Sequence, residues 1–254
     1  MSKRLTLLLV GAAGVVVLQQ QMLLRRPPRL VNITPQPMHI GSAGLDLVFS
    51  RPMHRPSLAE SSRLQPEIQH RWLGQGNALR LVVEGDVSIE EPLQLHLAGS
   101  DLRSQEISPQ TWWWDPRPWL LVNRRVAGGE QLQLRRRDGT WQAVTPVWPA
   151  ITQVVPLGNG RGIAMVSSDG RGQEQIWLRR LKPAGLQTDR TLLSTPRLGA
   201  LESLTADPLL FGHLSSNLNG DLLVQKGGFQ AGSQTTELLL NDGSSQTLQV
   251  KTSG

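Results

Sequence analysis

Side chains that could do chemistry are few in this sequence, and their spacing does not converge on a recognisable site. The five histidines occur singly and form neither an i, i+4 pair nor an H-x-E motif, which are common zinc-binding patterns. The chain has no Gly-Lys-Ser/Thr phosphate loop and no G-x-S-x-G nucleophile elbow. Carboxylates fall in turns such as Asp169-Gly170 and Asp242-Gly243, where an aspartate accepts backbone hydrogen bonds. We therefore predict no catalytic residues, no metal ligands and no cofactor.

Composition narrows the class of protein. The chain has 254 residues, 39% of them hydrophobic, which is enough for one large domain or two small ones with their own cores. The 25 glycines and 17 prolines interrupt the chain throughout and argue against a coiled coil or a helical bundle. Because the chain contains no cysteine, it forms no disulfide, thiolate zinc site, iron–sulfur cluster or thiol nucleophile.

The charge is positive, with 26 lysines and arginines against 20 acidic residues and a net charge of +6. Two explanations are open: an acidic partner (anionic lipid, acidic polysaccharide or nucleic acid) or a simple preference for arginine codons. Neighbours in a run such as Arg135-Arg136-Arg137 point to opposite faces of a strand, and no aromatic residues interleave with the runs at a stacking distance. We therefore predict that the chain does not bind nucleic acid.

The N-terminus has the pattern of a membrane anchor. After Lys3 and Arg4, the segment Leu5–Leu24 has 20 residues without a charge, about 30 Å of helix, which spans a bilayer. We predict a signal-anchor or transmembrane helix within residues 1–28, with the N-terminus in the cytoplasm. A cleaved signal peptide is the alternative, although the small residues that signal peptidase needs are missing after Leu18. Both interpretations put the remaining chain on the periplasmic or extracytoplasmic side, membrane-anchored or secreted.

Residues 29–110 contain short apolar runs separated by turn residues, which is the pattern of β-strands. Leu45–Phe49 and Leu93–Leu97 alternate apolar with polar residues, as half-buried strands do. This spacing predicts a β-sandwich in which Phe49 and Trp72 are core residues. The predicted strands are Leu30–Ile33, Leu45–Phe49, Ile68–Trp72, Leu79–Val83 and Leu93–Leu97.

Most of this region, roughly residues 29–108, resembles a known family. Ile33-Thr34-Pro35-Gln36-Pro37 and the segment Leu45–Met53, which closes on Phe49-Ser50-Arg51-Pro52-Met53, resemble the bacterial Ig-like domain named after the S-layer protein SbsA. Trp72 followed by Gly76-Asn77-Ala78-Leu79, and the segment Leu95–Asp101, resemble its hairpin and its last strand. Met38-His39-Ile40 departs from the small polar run usual in that family. The resemblance implies an Ig-like fold and a non-catalytic role as a spacer or adhesion module of cell-envelope proteins.

Residues 111–254 repeat themselves in three units. In each unit a turn leads into an apolar strand, a second strand, a glycine turn and a closing strand, which is the order of a propeller blade. The second unit, with Gly160–Ser168 and Ile176-Trp177-Leu178, resembles a TolB-type blade. A longer gap before the third unit predicts an insertion within Leu198–Leu210. The predicted closing strands are Trp141–Val144, Thr191–Leu193 and Thr247–Val250.

Trp112-Trp113-Trp114 is the most unusual run in the sequence. Exposed together, these rings would form a ligand or interface platform for a sugar, a membrane surface or a partner. The alternative is a strand at the junction of the two regions, with Trp112 and Trp114 on one face and Trp113 on the other. The tryptophans that follow are expected in cores: Trp119, Trp141, Trp148 and Trp177.

These features predict an all-β protein with an N-terminal anchor helix at 1–28, an Ig-like β-sandwich at 29–110 and three propeller-like four-stranded blades at 111–254. Closed propellers have about four to eight blades, so we expect an incomplete propeller whose open ends favour self-association. The predicted function is a non-enzymatic binding or scaffolding role in the cell envelope, with a protein or polysaccharide partner. The alternatives are a propeller hydrolase or enzyme accessory subunit, and a carbohydrate-binding module that uses the tryptophan run.

Overall fold

The computed structural model describes residues 26–36, 43–85, 87–182 and 185–248. In these ranges the chain is mostly β-strand, arranged in five antiparallel sheets of three or four strands. The all-β prediction is therefore confirmed. The predicted anchor, Leu5–Leu24, lies outside the described residues. Within the described ranges, no helix has both the length and the apolar character needed to cross a membrane.

The first two sheets share one core. One sheet has the strand order β1-β2-β5-β4 and the other the order β3-β6-β7. All five predicted strands of this region are present, with shifted ends, and β7 continues past residue 110 to Trp114. The strands are β1 (Leu30–Gln36), β2 (Ala43–Phe49), β3 (Arg63–Gln65), β4 (His70–Gln75), β5 (Ala78–Val83), β6 (Leu93–Leu97) and β7 (Gln110–Trp114).

The core of this two-sheet unit follows from strand alternation. On β2, Leu47 and Phe49 are buried, while Asp46 points outwards. Asp46 forms an ion pair with Arg80, which lies opposite it on β5. Phe49 is 1% exposed and Trp72 is 5% exposed, so the prediction that both are core residues is confirmed.

A short helix, α1 (Arg55–Ser61), contributes to the same core, and the sequence pattern did not indicate it. Pro56 stands in its first turn, where the missing N–H costs no helical hydrogen bond. Leu58 is fully buried and packs against Gly99. A Cβ atom at Gly99 would lie 3.0 Å from the Leu58 Cα, and the φ of Gly99 is +142°, so this close approach requires glycine.

The other three sheets stack face to face, and each neighbouring pair shares a hydrophobic cluster. The first stacked sheet has the order β10-β9-β8, the second β11-β12-β13-β14 and the third β15-β16-β17-β18. Their strands are β8 (Leu121–Val126), β9 (Gly129–Arg135), β10 (Trp141–Ala143), β11 (Ala150–Pro156), β12 (Gly162–Ser168), β13 (Glu174–Lys182), β14 (Arg197–Ser203), β15 (Phe211–Ser216), β16 (Leu222–Gly227), β17 (Thr235–Leu239) and β18 (Ser245–Leu248).

Two details of the predicted repeat are wrong. The first stacked sheet has three strands instead of four, because Trp114 pairs with β6 of the two-sheet unit. Between Trp114 and β8 the chain contains Pro116, which has no N–H to donate to a sheet. The predicted closing strand Thr191–Leu193 overlaps a 3₁₀ turn, Arg190–Leu192, which the Asp189 side chain caps. The strand that closes the second stacked sheet is β14, which overlaps the predicted insertion Leu198–Leu210.

Strand β12 is buried on both faces. Ile163 and Met165 point into the cluster shared with the first stacked sheet. Ala164 and Val166 point into the cluster shared with the third. All four side chains are 0% exposed. This explains why the strand reads as a continuous apolar run and does not alternate.

Two glutamates in equivalent positions join neighbouring sheets. Glu130 at the start of β9 accepts a hydrogen bond from the Ile151 backbone N–H of the second stacked sheet, at 2.8 Å. Glu174 at the start of β13 accepts one from the Gly212 N–H of the third, at 2.7 Å. The backbone of each glutamate also forms an isolated β-bridge with a residue just before the next sheet, Trp148 for Glu130 and Leu209 for Glu174. The same contact therefore sets the register at both interfaces.

Two buried threonines repeat in the same way. Thr145 and Thr205 are 3% and 9% exposed. Their hydroxyls accept hydrogen bonds from the backbone N–H groups of Leu132 and Ile176, at 3.0 and 3.4 Å. Leu132 and Ile176 each lie two positions after a joining glutamate. The internal repeat is thus visible in hydrogen bonds as well as in hydrophobic pattern.

The outward face of the third stacked sheet carries both apolar and polar residues, since Leu223 lies opposite Leu238 on the same side as Gln225. On β16, Leu222 and Val224 point towards the second sheet, so Gln225 points outwards and lies opposite Thr236 of β17. On the covered face of the second sheet, the aliphatic pair Val166 and Ile176 lies at the interface. Polar residues on an end face reduce the apolar area that the end of a stack exposes.

We predict that Phe49→Ala lowers the free energy of unfolding by about 3–5 kcal/mol, because it removes a fully buried ring and leaves a cavity. Urea unfolding of the purified chain measures this change. Leu102→Ala is the control, since Leu102 is 66% exposed, and we expect a loss below about 0.5 kcal/mol. Equal losses in the two variants would contradict the assignment of Phe49 to the core.

We predict that Glu174→Ala loosens the third stacked sheet from the second, because the Gly212 N–H loses a charged acceptor worth about 1–2 kcal/mol. Hydrogen exchange followed by mass spectrometry should show faster exchange in β15 and β16. The matched control is Glu202→Ala on the exposed edge strand β14, which should leave these amides unchanged. Unaltered exchange of β15 in the Glu174 variant would show that the contact does not hold the interface.

Candidate functional site

The tryptophan run lies on β7, and its three rings occupy two faces of one sheet. Trp112 and Trp114 pair with Leu95 and Leu93 of β6 and share the core face. Trp114 is 3% exposed, and the indole Nε1 of Trp112 is buried without a hydrogen-bond partner. Trp113 faces the other way. Because the core takes up Trp114, the three rings do not form one exposed platform.

Trp113 lies where the two-sheet unit meets the β13–β14 connection. Its backbone N–H donates to the Gln187 carbonyl at 2.6 Å and its carbonyl accepts from the Gln187 N–H at 2.9 Å. The Arg190 guanidinium lies 5.3 Å from the centre of its ring and also pairs with Glu91 at 3.4 Å. That ion pair is half exposed, so we assign most of the stabilisation here to the two backbone hydrogen bonds.

A second contact holds the linker between β7 and β8. Arg117 donates two parallel hydrogen bonds to the Asp115 carboxylate, both at 2.8 Å. Arg137, from the β9–β10 turn, approaches the same carboxylate at 3.0 Å and lies 4.0 Å from the centre of the Trp119 ring. Bidentate arginine–carboxylate pairs and arginine–aromatic stacking are both geometrically specific. We call this cluster of Asp115, Arg117, Trp119 and Arg137 the linker clamp.

The linker clamp ties the two-sheet unit to the stack. Arg117 donates to the Glu90 carbonyl of the two-sheet unit at 2.9 Å. Arg137 donates to the Arg117 carbonyl at 2.6 Å and belongs to the first stacked sheet. Burial opposes ionisation of Asp115, but the hydrogen bonds from Arg117 and the charges of both arginines outweigh it and hold the pKa of Asp115 below its usual value.

The linker clamp lines one side of a groove of about 380 Å³ between the two-sheet unit and the second stacked sheet. Two of the polar side chains on its walls, Asp115 and Asn159, already have protein partners. The Asp115 carboxylate binds the two arginines, and the Asn159 amide donates to the Asn219 carbonyl and to the Asn241 side chain. A ligand would have to displace these bonds, so the groove serves as a structural junction.

His96, Asp169 and Asp242 lie in separate parts of the fold. His96 is exposed beside Thr111, as the alternation of its strand predicts. Asp169 and Asp242 accept backbone hydrogen bonds within their turns, which confirms their interpretation as turn residues. The same kind of bonds, from the side chain and backbone of Ser244, lowers the pKa of Asp242. Within the described ranges, no three acidic or histidine side chains come close enough to hold a metal ion.

The linker clamp was not predicted from the sequence. The local part of it, Asp115-Pro116-Arg117, carries a readable signal, because a carboxylate and an arginine two residues apart flank a proline that limits the backbone. The second arginine carries none, since Arg137 reaches Asp115 only through the tertiary fold.

Comparisons with known proteins add nothing to this description: no family model matches the chain, and no similar curated protein or solved structure was found.

We predict that Asp115→Asn lowers the free energy of unfolding by about 2–3 kcal/mol at pH 7, because two partly buried arginines lose their counter-charge. A carboxyl whose pKa is lower in the folded chain than in the unfolded chain stabilises the fold at pH values above its unfolded pKa, which is about 3.9 for Asp. This contribution is lost as the pH falls through the folded pKa. The difference between wild type and variant in urea unfolding should therefore shrink below about pH 4.

The control for this prediction is Asp207→Asn, which changes the same side chain at an exposed position. We expect it to leave the stability unchanged at pH 7. A difference between Asp115→Asn and wild type that stays constant down to pH 3 would contradict the electrostatic account of the linker clamp.

Proposed function

We propose that this chain is a non-enzymatic binding or scaffolding protein of the cell envelope. In this proposal the segment within residues 1–28 anchors the chain in a membrane, and the β-sheets lie on the extracytoplasmic side. The two-sheet unit is an SbsA-type Ig-like spacer, and the three stacked sheets are propeller-like blades in an open array.

One observation carries the scaffolding role: two separate contacts fix the two-sheet unit on the stack. The Trp113–Gln187 backbone pair joins it to the second stacked sheet, and the linker clamp joins it to the first. Two units connected by a flexible linker would need neither contact. A rigid arrangement suits a protein that holds partners at a set distance and orientation.

The blade interpretation is supported by strand order. In each stacked sheet, strands that are consecutive in the chain are neighbours in the sheet. The sheets pack on one another through their faces, as blades do. The strands β14 and β18 are edges of their sheets, and such edges are where a protein partner or a second copy would add by strand pairing.

The alternatives receive less support. A propeller hydrolase would use converging carboxylates or a nucleophile–base pair, whereas the carboxylate of Asp115 is bound by arginines and those of Asp138 and Asp189 serve their own turns. A sugar platform made of Trp112, Trp113 and Trp114 would need all three rings exposed on one side.

The proposed membrane anchor and the extracytoplasmic position of the β-sheets are tested by expressing the full chain in a bacterial host and adding protease to spheroplasts. We expect the chain to sediment with membranes after carbonate extraction and to be digested from outside. Leu9→Arg with Val16→Arg, which interrupts the uncharged segment, should release it from the membrane. A protease-protected chain in the cytosol would overturn the proposal, and a soluble periplasmic chain that starts near Gln19 to Arg29 would replace the anchor by a cleaved signal.

A further inference from the structure

The first stacked sheet has one face packed on the second sheet and one face turned outwards. Leu132 and Leu134 of β9 point into the shared cluster, so Gln131, Gln133 and Arg135 point outwards. The strand registers place Arg124 opposite Gln131, and Trp141 opposite Arg135. We call Arg124, Gln131, Gln133, Arg135 and Trp141 the arginine face. Trp141, expected in a core, is instead 37% exposed here, because it shares the outward side with Arg135.

The side chains of the arginine face are held by one another. The Arg124 and Arg135 guanidinium groups lie 4.9 and 5.7 Å from the centre of the Trp141 ring. Arg124 donates to the Gln133 side chain at 2.9 Å, and Gln133 donates to the Gln131 side chain at 2.7 Å. Stacking on an aromatic ring fixes the plane of a guanidinium while its edge stays in solvent. Arg124, which contacts both the ring and Gln133, is therefore oriented before any ligand arrives, and Arg135 lies beside the same ring.

The charge of this face is uncompensated. Among the residues of β8, β9 and β10 the one acid is Glu130, and it points to the opposite side, where it accepts from the Ile151 N–H. Arg124 directs one of its five N–H donors to Gln133. The two arginines of the linker clamp, by contrast, share the carboxylate of Asp115. The arginine face is thus complementary to an anion.

We propose that the arginine face binds a carboxylate-bearing polysaccharide. This inference rests on the proposed function, since such polymers are met outside the cytoplasm. A guanidinium edge pairs bidentately with a carboxylate. Gln131 donates to the Thr145 carbonyl at 3.0 Å and so holds Gln133 in place. The second amide N–H of Gln133 offers a donor to a sugar hydroxyl, and the exposed part of the Trp141 ring offers an apolar surface to a sugar ring.

The extent of the face favours a short stretch of sugar over the other polyanions. It spans three strands, about 10 Å at an inter-strand spacing of about 4.8 Å. Nucleic-acid binding without sequence preference draws on several phosphate contacts at once, and attachment to anionic lipid draws on clusters of about four to eight basic residues. Two arginines beside one ring, with the amide of Gln133, fit a few sugar units that carry one or two carboxylates.

The test is affinity electrophoresis and titration calorimetry of the detergent-solubilised full chain with polygalacturonate, and with dextran as a neutral polymer. We expect binding to polygalacturonate that weakens with salt, and none to dextran. Arg124→Gln with Arg135→Gln should weaken binding about tenfold or more. The matched control, Arg103→Gln with Arg171→Gln, removes the same charge from exposed positions elsewhere and should bind within about twofold of wild type.

Arg124→Lys with Arg135→Lys separates geometry from charge. It keeps both charges and loses the planar fork, so we expect a loss intermediate between wild type and the glutamine variant. Thermal unfolding of each variant, unchanged from wild type, excludes misfolding as the cause of a loss.

Each of these results would overturn the inference: equal losses in the two glutamine variants, no loss in either, full binding by the lysine variant, or arginine-dependent binding to DNA or anionic vesicles instead of polygalacturonate. A chain found in the envelope that does not bind the polymer would overturn this inference alone. A cytosolic chain that binds it through Arg124 and Arg135 would overturn only the proposed location.

Discussion

Burial of β12 on both faces is the constraint that organises the stack. An ordinary strand of an antiparallel sheet sends alternate side chains to water, but here Ile163 and Met165 need the first stacked sheet and Ala164 and Val166 need the third. A single sheet with such a strand would leave an apolar face in water. The second sheet is therefore stable only between two neighbours, and the three sheets depend on one another as repeats in a solenoid do.

Hydrophobic contact drives the sheets together without fixing their register, because it has no direction. Directional bonds supply the register. Glu130 and Glu174 reach across to backbone N–H groups of the next sheet, and Gln153 exchanges two bonds with the Leu214 backbone. Arg179 adds a bond to the Val144 carbonyl of the first sheet at 2.9 Å, and its burial lowers the pKa of the guanidinium. These polar groups hold the apolar clusters in one alignment.

Five of the arginines that contribute to the positive charge show two different kinds of contact. Arg117 and Arg137 hold the linker through Asp115, and Arg179 bonds to backbone carbonyls of two sheets. Their charge is used within the fold. Arg124 and Arg135 stack on Trp141 and face solvent without a carboxylate opposite them. A positive net charge therefore has a structural and a surface origin in this protein, and only the second bears on a partner.

Strand alternation and turn chemistry are local, so the sequence alone was sufficient for the sandwich strands, for Phe49 as a core residue and for the turn aspartates. Alternation also shows which residues share a face, but not which face is covered. Tertiary packing decided that Trp141 faces solvent and that Trp114 belongs to the first unit. It also brought Arg137 to Asp115, because contacts between residues distant in the chain depend on how the sheets pack and leave no periodic signal in the sequence.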